Sequence, residues 1–87
     1  MTSAIYRVGD MIELGRERGI VVHADPPIMR TIDFHSYVPI LSSPRLLQRS
    51  VEADAQPPNP GVVERIRQYI SKREEEAIVV PTGVAPA

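Results

Sequence analysis

The chain has 87 residues, no cysteine and a formal net charge of −1. That length allows one domain, which buries only roughly 60–65% of the surface its unfolded form exposes, so its core must be thin. The missing thiols exclude disulfides, thiolate zinc sites and cysteine nucleophiles, and the charge argues against a strongly electrostatic nucleic-acid binder.

Met1-Thr2-Ser3-Ala4 lacks the basic start and apolar run of a signal peptide. No stretch approaches the roughly 20 apolar residues that span a bilayer. The expectation is a soluble, unprocessed, cytoplasmic protein without membrane contact. Ile5 to Leu14 and Arg18 to His23 read as strands joined through Gly15-Arg16-Glu17-Arg18-Gly19, a hairpin connection. Asp25-Pro26-Pro27 is a connector, because two prolines deny a ladder its donors. Ile28 to Leu41 reads as one half-buried strand, with Ile32, Phe34, Val38 and Ile40 on one face and Thr31, Asp33, His35 and Tyr37 on the other. Pro39 places that end at a sheet edge or beside a bulge.

Ser42-Ser43-Pro44 fits the cap of a short helix through Arg45-Leu46-Leu47-Gln48-Arg49. Ser50 to Pro58 has the composition of an exposed linker. The firmest element follows. Asn59 is placed to accept a hydrogen bond from a first-turn amide, and Pro60 suits the first helical position, where no donor is needed. Val62, Val63, Ile66, Tyr69 and Ile70 then recur at three- and four-residue intervals, a stripe meant for burial, while Glu64, Arg65, Arg67, Gln68 and Lys72 point elsewhere. Glu74 to Glu76 would oppose the dipole at a helix C-terminus, so the helix is expected to stop near Arg73. Ala77 to Val80 reads as a final strand, Pro81-Thr82-Gly83 as a turn out of it, and residues 81–87 as a mobile tail unless a partner holds it. The whole is an α+β domain spanning 1–87. It divides into a β-rich part (5–41), a short helix and linker (42–58), a helix and final strand (59–80) and the tail. A small antiparallel sheet or a partly open barrel carries one long amphipathic helix.

Two family resemblances bear on this reading. Val8-Gly9-Asp10-Met11-Ile12-Glu13-Leu14 followed by Gly19-Ile20-Val21-Val22 resembles the opening hairpin of SH3-like small barrels such as KOW and Tudor modules, which implies binding surfaces on loops. From Tyr37 to Val80, the order Tyr-Val-Pro-Ile-Leu, Leu47-Gln48-Arg49, linker, Val63-Glu64-Arg65-Ile66-Arg67-Gln68-Tyr69-Ile70 and Ile78-Val79-Val80 is similar to the first third of the DGQHR-domain family. That family includes the DndB-type proteins of DNA phosphorothioation systems and is similar to the ParB fold. The resemblance puts Gln48 and Arg49 at the family's Gln-Arg position and implies a DNA-linked role. The chain has no Asp-Gly-Gln-His-Arg sequence and is far shorter than those proteins.

His23, Asp25 and His35 are the one constellation with metal-ligand character, since two histidines and a carboxylate can hold iron. The plainer reading leaves His35 an exposed neighbour of Asp33 and Tyr37, and no metal or other cofactor is expected. No Gly-x-Ser-x-Gly elbow or phosphate-cradling glycine loop is present, so the chain is read as non-enzymatic. Every basic residue but Lys72 is arginine, the residue suited to bidentate carboxylate or phosphate contacts, although codon usage gives the same bias. Arg45 and Arg49, four apart on the short helix, and Arg65, Arg67, Lys72 and Arg73 on the long one are the candidate contacts to a partner or a phosphate. Tyr37 and Tyr69 are too few for a base-stacking platform. The expectation is an interaction module, an accessory subunit of a larger assembly with a protein partner or further copies of itself. The alternative is a DNA-associated module or regulator of a DNA modification or defence system.

Overall fold

The computed structural model describes residues 6–84, with side chains through Glu75. Five antiparallel strands form one sheet: β1 (Met11–Leu14), β2 (Glu17–Ala24), β3 (Pro27–Thr31), β4 (Tyr37–Pro39) and β5 (Arg45–Gln48). Their order is β4-β3-β2-β1-β5, so β1 to β4 form a meander and the chain then returns from one edge to the other to lay β5 beside β1. The sheet does not close, and a single helix, α1 (Pro60–Val84), packs on it. This is the expected α+β architecture.

The opening hairpin forms where its residues dictate. Arg7 to Asp10 makes a turn closed by the Asp10 N–H donating to the Arg7 carbonyl (3.0 Å), with Gly9 at φ +102°, a region that a side chain would strain. Strand β1 is therefore shorter than Ile5 to Leu14; Ile5 itself lies outside the described residues. The β1–β2 turn is tighter than the sequence suggests: Leu14 pairs with Glu17, leaving only Gly15 and Arg16 between strands. Gly15 at φ +63° supplies the left-handed first position that a two-residue hairpin turn requires.

Three expectations are corrected. The run Ile28 to Leu41 is two strands rather than one, because the chain reverses at Ile32–Ser36. Thr31 closes the reversal: its N–H donates to the Ser36 carbonyl (2.8 Å), its Oγ1 accepts from the Ser36 N–H (3.0 Å) and its carbonyl accepts from the His35 N–H (3.1 Å). Thr31 is thus buried, and Phe34, expected inside, is 76% exposed. Second, Arg45–Gln48 is an edge strand rather than a short helix; Ile12 pairs with Leu46 and Glu13 with Arg45. One turn of helix offers few bonds for the residues it fixes, whereas β1 offers this segment a ready ladder. Third, α1 neither stops near Arg73 nor yields to a strand at Ala77–Val80, and its described end is Val84. The glutamates fall mid-helix, where they are good helix formers and oppose no terminal dipole. Residues 81–84 of the expected tail belong to the helix, and 85–87 lie outside the described residues.

The helix begins as its sequence requires. The Val62 N–H donates to Asn59 Oδ1 at 3.0 Å, the cap that precedes Pro60. The stripe then meets the sheet: Ile66 is buried with Val22 and Ile28, and Val62, Val63, Ile70 and Tyr37 pack around them. Tyr69, placed on the stripe by spacing, instead lies 47% exposed at its margin, its hydroxyl 3.4 Å from Arg73 Nη1. The other sheet face carries the second cluster, Ile12, Val21, Met29 and Ile40, flanked by Tyr6, Leu14 and Val38. Pro39 sits on edge strand β4, as its missing donor demands. The connector 50–58 is less free than its composition suggests. The Val51 N–H donates to the Gly9 carbonyl, Glu52–Asp54 forms one 3-10 turn, and Pro58 is buried.

Candidate functional site

The residues with metal-ligand character are held apart by the hairpin geometry. His23 ends β2, its Nδ1 3.0 Å from the Pro26 carbonyl; Asp25 is exposed in the β2–β3 turn; His35 lies beyond the opposite end of β3, its Nδ1 accepting from Arg30 Nη2 at 2.8 Å. Among the described residues no three His, Cys, Asp or Glu side chains gather as a metal would require.

The candidate arginines divide by what answers them. Arg45 Nη2 lies 2.8 Å from Glu13 Oε1 across the β1–β5 pair, and Arg18, opposite Glu13 on β2, approaches its other oxygen at 3.9 Å. The result is an ionic ladder across three strands. Arg49 Nη1 donates to Asp10 Oδ2 at 3.4 Å, and Asp10 is nearly enclosed, with 6% of its side chain exposed. Its Oδ1 takes the Ser50 N–H at 3.0 Å. Asp10 therefore anchors the start of β1 to the end of β5, two segments forty residues apart in the chain. On α1, Arg67 sits 3.9 Å from Glu64 and Arg73 lies over the Tyr69 ring, 5.7 Å from its centroid. Arg65 and Lys72 are exposed on the outer side. Arg45 and Arg49 thus do not line a helix face; both are tied to carboxylates of the β1 segment.

What the sequence did not single out is the cleft beside that anchor. It has a volume of about 190 Å³. Ile12, Val21, Pro44 and Leu46 give it apolar lining, and Tyr6, Ser43, Asp10 and Arg49 give it polar lining. Leu46 and Leu47 are 44% and 37% exposed, and Phe34, Leu41, Val8 and Tyr69 are exposed elsewhere on the surface. The segment Arg45–Gln48 reads as helix from sequence because four residues hold too little pattern to separate the two periods.

Strand β5 is an edge, yet it is defended against backbone pairing. Pro44 precedes it without a donor, Arg45 and Arg49 flank it, and its register slips by one residue opposite Met11 and Ile12, a bulge that interrupts the ladder. The exposed feature here is a cleft of mixed polar and apolar lining rather than a free ladder. Comparisons with family models, with curated proteins and with solved structures return no match.

Proposed function

We propose that this chain is a non-enzymatic interaction module, an accessory or structural subunit that docks onto protein, either a different chain or another copy of itself. The observation that carries this reading is the division of labour on the β1–β5 surface. Its arginines are answered internally by Glu13 and Asp10, while Leu46 and Leu47 stay exposed on the edge strand. A phosphate-binding surface has the opposite character, with unanswered cations and few apolar side chains. Ion pairs already satisfied within the chain give up little to a phosphate, whereas an apolar surface released from water favours association with protein. No described helix is long and apolar enough to cross a membrane.

Native mass spectrometry of the tagged chain purified from its own cells tests this directly. The expected result is a stoichiometric complex with protein that persists as salt is raised. A monomer that instead binds a DNA column, with retention falling steeply with salt, overturns the proposal in favour of a DNA-associated module.

A further inference from the structure

Beyond that reading, we infer that the β3–β4 turn is a pH-sensitive latch, closed by the neutral ring of His35 and released when that ring takes up a proton. The two histidines of the chain make contacts that demand opposite proton placements. His23 Nδ1 lies 3.0 Å from the Pro26 carbonyl, which can only accept, so this nitrogen carries the proton. A second proton, on Nε2, leaves that contact intact. His35 Nδ1 lies 2.8 Å from Arg30 Nη2. A guanidinium offers only donors, so here Nδ1 is bare and the proton sits on Nε2. Protonating Nδ1 turns the acceptor into a donor and sets an imidazolium against a guanidinium, and the contact is lost.

The contact holds a constrained backbone. His35 sits at φ +52°, a left-handed conformation uncommon for a residue with a side chain. Thr31 closes the turn through the Ser36 carbonyl, the Ser36 N–H and the His35 N–H, while Arg30 is the one group among the described residues that bonds the ring. Few charges surround it. Arg30 reaches it from β3, Asp33 lies two positions earlier in the turn, and Asp54 of the 3-10 turn lines the cleft that Arg30 and His35 share with Ile20, Thr31 and Ile32. Arg18 of β2, whose carbonyl takes the Ile32 N–H, turns its guanidinium toward Glu13. Asp54 has no ion-pair partner among the described residues, so Arg30, once released, has a carboxylate in the same cleft to turn to. The turn also carries Ile32 and Phe34, both exposed, and its release alters how these apolar side chains are presented.

The test follows the ¹⁵N-labelled full chain by NMR from pH 8 down to pH 5, the span over which an imidazole changes charge. At pH 8 the ring nitrogens are expected to place the proton of His35 on Nε2 and that of His23 on Nδ1. As the pH falls, exchange protection at the His35 and Ser36 amides, corrected for the intrinsic rate at each pH, should drop about fivefold, the worth of one lost hydrogen bond. Protection at Val21 and Met29 should hold. His35→Asn tolerates the left-handed backbone and keeps an acceptor oxygen without a titrating ring, so it should abolish the drop. A drop of the same size in His35→Asn, no drop in the unaltered chain, or a His35 ring protonated on Nδ1 at pH 8 overturns the inference. So does an equal loss at Val21 and Met29, because acid would then be loosening the whole sheet. The tautomer and the exchange of the unaltered chain decide the matter even where the variant fails to fold.

Discussion

The two faces of the sheet are buried by different means. On one, Ile12, Val21, Met29 and Ile40 come from strands β1, β2 and β3 and the segment leaving β4, with Tyr6, Leu14 and Val38 packed around them. On the other, Val22 and Ile28 stay dry because Ile66 and its helical neighbours lie over them. The first cluster is intrinsic to the β meander. The second is lent by a helix whose 25 residues run about 37 Å at 1.5 Å per residue, and of which Ser71–Glu75 is exposed at every position. The sheet is the scaffold, and the helix is a cover that reaches past what it covers.

The sharpest way to break that comparison is to put the same charge into each cluster. Met29→Asp buries a carboxylate in the enclosed face, where no partner is available, and is expected to cost more than about 4 kcal/mol and abolish folding. Ile66→Asp is expected to release α1, with loss of helical circular dichroism, while hydrogen exchange still finds protection at Val21 and Met29. Equal and complete loss of protection in both variants would mean that the two faces form one cooperative unit.

A smaller effect separates the anchor from both clusters. Asp10→Ala leaves the Ser50 N–H without its acceptor and Arg49 without its counter-charge, and should cost about 1–3 kcal/mol of unfolding free energy, read by denaturant titration. Exchange should quicken at β5 before β2 or β3, and a uniform increase would show that Asp10 supports the whole sheet instead. The smallest effect belongs to the outer side of the helix. The double change Arg65→Ala and Arg67→Ala removes one exposed pair to Glu64, worth about 0–1 kcal/mol. The melting temperature should hardly move, and a loss comparable to Ile66→Asp would mean that the two sides of α1 have been exchanged.

The places where sequence and structure diverge share a cause. The stripe Val62, Val63, Ile66 and Ile70 spans three helical turns, long enough for its period to be unambiguous, and Asn59-Pro60 marks its start by local hydrogen bonding alone. The β1–β2 hairpin was equally legible, because Gly15 can take a backbone conformation that the turn needs and other residues resist. At Ile32 to Ser36 the alternation continued through a reversal, and the turn residues Asp33 and Ser36 carried less visible weight than the apolar side chains around them. The candidate cations are all exposed, and the carboxylates that answer Arg45 and Arg49, Glu13 and Asp10, lie on β1 and at its start, more than thirty positions away.

The sequence by itself determined where α1 begins and most of the side it buries, that a hairpin turns from Gly15, and that Pro39 sits at an edge or beside a bulge, because each depends on groups within a few residues of one another. Only the tertiary structure decided that Arg45–Gln48 is a strand, that Asp10 is a buried anchor and that a cleft opens beside Leu46. Those features need β5 to cross from one edge of the sheet to the other and find β1. A contact between segments forty residues apart leaves no period in either of them.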